Sequence, residues 1–269
     1  MYQNGTVYYP QDELTTMLIP VTTGCPHNKC SFCSMYKDES FSMVSLDDIE
    51  FELMNGYKYT EKVFLTGADP LCVGYKRMMS VLSLIKKHLP YCARVACYAS
   101  IRSISNLSEE ELSNLHNAGL RLLYIGFETG DNEILTLVHK GHTVENAVKQ
   151  AKKLNKVHLE FNSIIMYGIG GDGKCVYNAK KTAEMLNQFD SRKIITMNLT
   201  VFEGTEMAEM AEKGEFTPPG RGERLLEVKT LLENLKPAKP TIFDTTHPTN
   251  ILKIKGIIPE ETERLISEI

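Results

Sequence analysis

Short apolar, β-branched runs alternate with longer amphipathic stretches from about residue 15 onward. The apolar runs predict six strands, at 15–21, 62–67, 93–99, 120–127, 158–167 and 193–201. Helical periodicity between them predicts helices at 46–57, 75–88, 108–118, 143–155 and 174–189. Repeated βα units form a parallel sheet flanked by helices. Because six units fall short of a closed eight-stranded barrel, we expect an α/β fold, a partial (β/α)6 TIM-like barrel.

The pattern changes after Gly204. Residues 205–213 and 221–235 have helical periodicity, and a proline-rich tail leads to a last helix at about 259–268. We therefore expect a core at 1–204 and a C-terminal helical and irregular appendage at 205–269, which is not a further βα unit. The appendage is expected to cover the open barrel side, with a partner subunit or the substrate as the alternatives.

Composition restricts the class of protein. The formal net charge of -4 provides no general basic field, so nucleic acid is not expected as a partner. The sequence has no apolar run of membrane-spanning length, and its first residues lack the basic-then-apolar order of a secretory signal. We expect a cytoplasmic protein that does not enter a membrane. Three of its seven cysteines crowd into nine residues, which suits a metal site in a reducing compartment.

These three cysteines form the pattern Cys25-x4-Cys30-x2-Cys33 directly after the first predicted strand. They therefore lie on the first βα loop, at the carboxyl end of the sheet, where barrel active sites are built. Three thiolates can hold a [4Fe-4S] cluster and leave one iron without a protein ligand. A zinc site would need a fourth ligand, and His27 is the nearest candidate. The remaining cysteines stand singly, and we interpret them as small buried apolar residues: Cys72, Cys92, Cys97 and Cys175.

The segments TTGCPHNKCSFCSMYK, VFLTGADP, IGFETG and MYGIGG follow one another in this order. Together they resemble the radical SAM superfamily, in the branch that shares its core with tRNA-modifying and oxygen-independent porphyrin enzymes. The resemblance covers about residues 15–205. The commonest spacing in that superfamily is C-x3-C-x2-C, so the longer first spacing here is interpreted as the mark of a subfamily.

The resemblance implies that Cys25, Cys30 and Cys33 hold a [4Fe-4S] cluster whose open iron is chelated by S-adenosylmethionine (SAM). In such enzymes the reduced cluster cleaves SAM to methionine and a 5′-deoxyadenosyl radical, which abstracts hydrogen from a substrate. The implied partners are SAM, an electron donor such as a flavodoxin or ferredoxin, and a small-molecule substrate of unknown identity.

The resemblance also implies contacts to the amino acid part of SAM. Gly67, Ala68 and Asp69 resemble the segment that binds the SAM amino group, although a strand-ending turn is the alternative. Ser100 and Arg102 follow the third strand and are candidates for the ribose or the SAM carboxylate. The alternative for Arg102 is an ordinary solvent-exposed position.

Further candidates come from the later strands. Glu128 is expected to bind ribose hydroxyls or the SAM ammonium, with a place near the start of the next helix as the alternative. Met166 and Gly168 resemble the adenine-binding segment, where a loop that needs positive φ is the alternative. Phe32 and Leu199 are candidate apolar walls for the adenine, and core packing would explain Leu199 equally well.

Two other functions stay open from the sequence. The first is a non-catalytic iron-sulfur or zinc-binding protein, which would not need the groups at Gly67 to Asp69, Glu128 or Gly168. The second is a tRNA-modifying radical SAM enzyme. The densest basic stretch, Lys149 to Lys156, fits a solvated helix face and so favours a small-molecule substrate.

Overall fold

The structure is a computed structural model that describes residues 7–269, so the first six residues of the predicted 1–204 core lie outside the described residues. The strands are β1 (Met17–Pro20), β2 (Thr22–Thr23), β3 (Ser42–Met43), β4 (Lys62–Thr66), β5 (Arg94–Ala99), β6 (Leu120–Glu128), β7 (Glu160–Tyr167), β8 (Lys193–Asn198), β9 (Thr241–Asp244) and β10 (Lys255–Ile258). The α-helices are α1 (Leu46–Met54), α2 (Tyr75–His88), α3 (Ile101–Ser105), α4 (Glu109–Asn117), α5 (Asn132–Leu137), α6 (Val144–Lys156), α7 (Cys175–Leu186), α8 (Glu206–Glu212), α9 (Arg221–Asn234) and α10 (Thr262–Ser267).

The main sheet has eight strands in the order β1-β4-β5-β6-β7-β8-β9-β10, and β2 pairs separately with β3. The pairs that join β1 to β4, β4 to β5, β7 to β8 and β8 to β9 are parallel. All six predicted strands are present, which confirms the α/β class with a mainly parallel sheet. Among the described residues, no helix is long and apolar enough to cross a membrane.

The expectation that 205–269 adds no βα unit is wrong. Two helices, α8 and α9, follow β8 in the chain, and β9 then pairs parallel with β8 through Lys193 and Ile242. β10 pairs antiparallel with β9 and adds a further strand. Each of these strands has four residues and lies in a proline-rich tail, so the alternation is too short to distinguish a strand from a loop.

The chain divides into two compact units. The first contains 7–28, 36–124 and 157–160. In it, Pro20 pairs with Thr66, so the loops after β1 and β4 begin at the same edge of the sheet. Its interior holds an edge-to-face cluster of Phe64, Tyr98 and Tyr124, whose ring centroids lie 5.3 to 6.0 Å apart.

The second unit contains 29–35, 125–156 and 161–269, so β6 contributes residues to both units. Here Tyr167 pairs with Asn198, and the loops after β7 and β8 therefore begin at the same edge. The sixth strand was expected to continue to 201 but ends at Asn198. Beyond this point, the Leu199 carbonyl accepts a hydrogen bond from the Arg224 side chain of α9.

Candidate functional site

The three clustered cysteines are half-buried and form no disulfide bond among the described residues. Cys25 lies in the first unit, where its Sγ accepts a hydrogen bond from the Asn28 N–H at 3.3 Å. Cys30 and Cys33 lie in the second unit, and the Cys33 N–H donates to the Cys30 carbonyl at 3.3 Å. No three His, Cys, Asp or Glu side chains of residues 7–269 converge on one metal ion. A cluster binds each thiolate at a different iron, so its ligands do not need to converge on one atom.

The backbone between Cys30 and Cys33 is firmly anchored within the second unit. Ser31 is fully buried, its N–H donates to the Val138 carbonyl at 3.1 Å, and its carbonyl accepts from the Met207 N–H at 2.9 Å. A loop held on both sides presents its neighbouring thiols in a fixed direction. Such a loop suits a bound inorganic group, whose ligands must be preorganised.

In the first unit, the segment after β4 has two features of a cradle for a small cation. Gly67 has φ +127°, and a Cβ at this position would come within 2.1 Å of the Thr22 hydroxyl, so no other residue fits. Asp69 is buried, and its Oδ2 accepts a hydrogen bond from the Ser103 hydroxyl. Its Oδ1 is also buried but accepts no hydrogen bond from the residues described. Burial raises the pKa of Asp69 against the opposing hydrogen bonds of Ser100 and Ser103.

This unpartnered oxygen fits an ammonium group such as that of SAM, because a buried carboxylate oxygen needs a donor. Ala68, between Gly67 and Asp69, is half-buried.

The two candidates after β5 differ from each other. Ser100 caps α3 by accepting from the Ser103 N–H, whereas Arg102 is exposed on that helix.

In the second unit, Glu128 ends β6 with φ +63°, an uncommon conformation for a residue with a side chain. Its Oε1 accepts from the Lys140 ammonium at 2.6 Å, and both side chains are largely buried. The next helix is capped instead by Asp131, so the helix-start alternative for Glu128 is wrong. Burial disfavours the charged form of Lys140, but Glu128 and the nearby sulfurs of Cys30 and Cys33 outweigh it and raise the pKa of Lys140.

Lys140 is a residue that the sequence did not single out. Its charge lies near two of the three clustered thiols and also pairs with the acid that was expected to contact SAM. A positive charge in this place stabilises thiolates and an anionic inorganic group. One sequence signal pointed to it, since a buried acid at the end of a strand requires a partner.

The structure brings the candidate apolar walls together. Leu199 belongs to a buried cluster of the second unit, against which Phe32 and Met166 pack as partly buried side chains. Gly168, which follows Tyr167, has φ +83°. A Cβ at this position would lie 3.2 Å from the Arg224 guanidinium. A side chain at this position would adopt an unfavourable positive φ and would require the Arg224 guanidinium to shift by a few tenths of an ångström.

Helix α9 supports this loop through Glu227, a second residue that the sequence did not indicate. The buried Glu227 carboxylate accepts from the Gly168 N–H at 2.7 Å and from the Asn178 amide at 2.6 Å. Burial raises the pKa of Glu227 although hydrogen bonds from Asn178 and Cys175 oppose it. The backbone of the predicted adenine segment is thus fixed by a charge-assisted hydrogen bond.

The isolated cysteines divide into two groups. Cys97 and Cys175 are buried, which confirms the prediction for them, whereas Cys72 and Cys92 are half-buried. Burial raises the pKa of Cys72 to about 12. In the absence of a metal, a thiol with this pKa stays protonated near neutral pH.

A sequence model of the radical SAM superfamily matches residues 19–181, more than half of the chain. The chain belongs to the radical SAM superfamily. This match includes the three clustered cysteines and the segments at Gly67 to Asp69, Glu128 and Gly168. The family resemblance inferred from the motifs is confirmed.

Curated proteins similar to this chain include a tRNA uridine(34) acetyltransferase of Methanocaldococcus infernus, 30% identical over 132 residues. The match spans 48% of this chain and about a quarter, 24%, of that protein. Among solved structures, methylornithine synthase (PylB) has a TM-score of 0.61 at 16% identity, covering 85% of this chain and 64% of that one.

A second similar structure is the radical SAM methyltransferase TsrM from Kitasatospora setae, solved with cobalamin and a [4Fe-4S] cluster bound. Its TM-score is 0.60 at 18% identity, covering 74% of this chain and 39% of that one. At these identities the two structures show the shared fold alone. The fold agrees with the partial barrel expected from the βα repeats.

Proposed function

We propose that this protein is a radical SAM enzyme in which Cys25, Cys30 and Cys33 hold a [4Fe-4S] cluster and SAM occupies its open iron. The observation that carries the proposal is the triple cysteine on the first βα loop, within the superfamily match. When bound, the reduced cluster supplies the electron that cleaves SAM and so generates a radical that takes hydrogen from a small-molecule substrate. The electron would come from a flavodoxin or a ferredoxin.

The roles of the chain's own residues follow from their chemistry. Asp69 accepts a hydrogen bond from the SAM ammonium through its unpartnered Oδ1, and Gly67 allows the backbone to approach it. Glu128 is a candidate for the ribose hydroxyls, and Lys140 holds its carboxylate in place. Met166, Leu199 and Phe32 provide an apolar surface for the adenine. Ser100 and Arg102 stay candidates for the ribose and the SAM carboxylate.

Anaerobic reconstitution with iron and sulfide, followed by dithionite and SAM, tests this function. We expect one [4Fe-4S] cluster per chain and the formation of 5′-deoxyadenosine, measured by liquid chromatography. C30S should lose both, because the cluster then lacks a thiolate. C92S is the matched control, since Cys92 is a half-buried cysteine outside the triple, and it should retain both. A loaded cluster without 5′-deoxyadenosine would instead support a non-catalytic iron-sulfur protein, and bound zinc without a cluster would support a zinc protein.

A second candidate is a tRNA-modifying enzyme, which is favoured by the likeness to tRNA uridine(34) acetyltransferases. The chain matches only 24% of each of these relatives, so their activity is not transferred as a whole. Filter binding of unmodified tRNA at low and high salt tests this candidate. Saturable retention that falls steeply with salt would favour it, because phosphate contacts release counterions. Absence of retention at low salt would favour the small-molecule substrate.

A further inference from the structure

An open cleft of about 370 Å³ lies in the second unit beside the end of β8. This volume lies in the range of small-molecule sites. Its walls come from the segment after β8, the beginning of α9 and the C-terminal tail, and they include Asn198, Val201, Pro218, Arg221, Arg224 and Ile251. The loop after β8 starts at the carboxyl end of a parallel strand, where α/β proteins bind their ligands.

The cleft contains two guanidinium groups on one face of α9, at Arg221 and Arg224. Arg224 is held by neutral acceptors. Its Nε donates to the Pro219 carbonyl at 2.8 Å, and its Nη1 donates to the Leu199 carbonyl at 2.7 Å and to the Asn198 side chain. Neither arginine forms an ion pair with an acid of the described chain. By contrast, Arg94 and Arg264 each pair with a carboxylate.

The acids of α9 do not neutralise this pair by direct contact. Glu227 accepts hydrogen bonds from Gly168 and Asn178, and Glu223 accepts from the Gly173 N–H at 3.0 Å. The Arg221 guanidinium and the Nη2 group of Arg224 therefore stay available as donors in the cleft, although the charge of Arg224 also interacts with Glu227. Three hydrogen bonds fix Arg224 in advance, which reduces the entropy lost when a ligand binds. Arg221 is exposed and extends the same positive surface.

We propose that this cleft is a substrate subsite for an anionic group, a carboxylate or a phosphate, which Arg221 and Arg224 bind together. The Arg221 guanidinium can meet two oxygens of either anion in a bidentate geometry, whereas Arg224, whose Nε and Nη1 are already committed, donates through Nη2 alone. Val201, Pro218 and Ile251 contact the carbon skeleton beside the anion. The subsite rests on the proposed function, because it assigns a chemical class, a small acid or phosphate ester, to the substrate of that reaction.

The test uses the full chain, reconstituted with its cluster and saturated with SAM. Inorganic phosphate and succinate are titrated separately by isothermal calorimetry, at constant ionic strength. We expect saturable binding of one anion per chain, and the anion that binds more tightly identifies the phosphate or carboxylate class. R221Q should weaken this binding about tenfold, the effect of losing one charge-assisted hydrogen bond. K229Q is the matched control, because Lys229 is exposed on the same helix, outside the cleft, and should leave binding unchanged.

Three results would overturn the subsite. They are absence of saturable binding of both anions, equal weakening by K229Q and R221Q, and anion binding that occurs only when SAM is omitted, which would assign the cleft to the cofactor. Measuring 5′-deoxyadenosine in the wild-type protein separates the two proposals. If anion binding depends on Arg221 but no 5′-deoxyadenosine forms, the function fails and the subsite stands as a binding site. If 5′-deoxyadenosine forms without anion binding, only the subsite fails.

Discussion

Replacement of Lys140 by Met should destabilise the protein, because it leaves the Glu128 carboxylate buried without its partner. The Lys140 and Glu128 atoms lie 2.6 Å apart, and the two side chains are only 18% and 7% exposed. Removing one member of a buried ion pair costs about 3–5 kcal/mol, because the other charge stays desolvated. Because Lys140 keeps some exposure to solvent, we expect a loss in the free energy of unfolding near the lower end of that range, at about 3 kcal/mol. Met keeps most of the volume, so a cavity adds little.

The assay is urea denaturation of the cluster-free protein without SAM, under reducing conditions. K181M is the matched control: Lys181 also pairs with a glutamate, at 2.9 Å, but the side chains are 39% and 65% exposed. It should not change the denaturation midpoint measurably, since exposed pairs contribute little. The double variant E128Q/K140M should recover part of the loss, because no charge is then left buried. Equal losses in K140M and K181M would refute the argument that burial decides the cost.

Other variants test the remaining parts of the site. G67A should lower the melting temperature more than the control G74A. The new Cβ at position 67 meets Thr22 at 2.1 Å, whereas Gly74, also at positive φ, has open space around it. Equal melting temperatures of the two variants would contradict the close approach at Gly67. D69N should weaken SAM binding in equilibrium dialysis. Because burial raises the folded pKa of Asp69, the stability of the wild type should fall relative to D69N as the pH rises above about 4, which urea denaturation at two pH values measures. E227A should cost about 2 kcal/mol in urea denaturation by leaving two buried donors unpaired, and E227Q should recover part of that loss; no loss in E227A would show that water replaces the carboxylate.

The sequence by itself determined the βα order and the end of the sheet at which the motifs lie. Both properties depend on residues that are close in the sequence, because alternation predicts a strand and the next few residues form the loop that follows it. Cys25, Gly67 and Gly168 could therefore each be placed on the loop that follows a predicted strand, and within each unit parallel pairing brings the loops of neighbouring strands to one edge. Capping chemistry is equally local, and the capping box between Ser108 and Glu111 is present as expected from the sequence.

Only the tertiary structure decided which polar side chains support those loops. Lys140 reaches Glu128 across 12 positions, and Glu227 reaches Gly168 across 59. A single charged residue, whether in a loop like Lys140 or on a helix like Glu227, belongs to no pattern that reports whether it faces solvent or a distant segment, so neither contact could be predicted from its neighbours. The strands β9 and β10 were missed for a related reason, since four residues carry little pattern and it is pairing with β8 that makes β9 part of the sheet. Tertiary contacts also set the burial that distinguishes Asp69 and Glu227 from exposed acids.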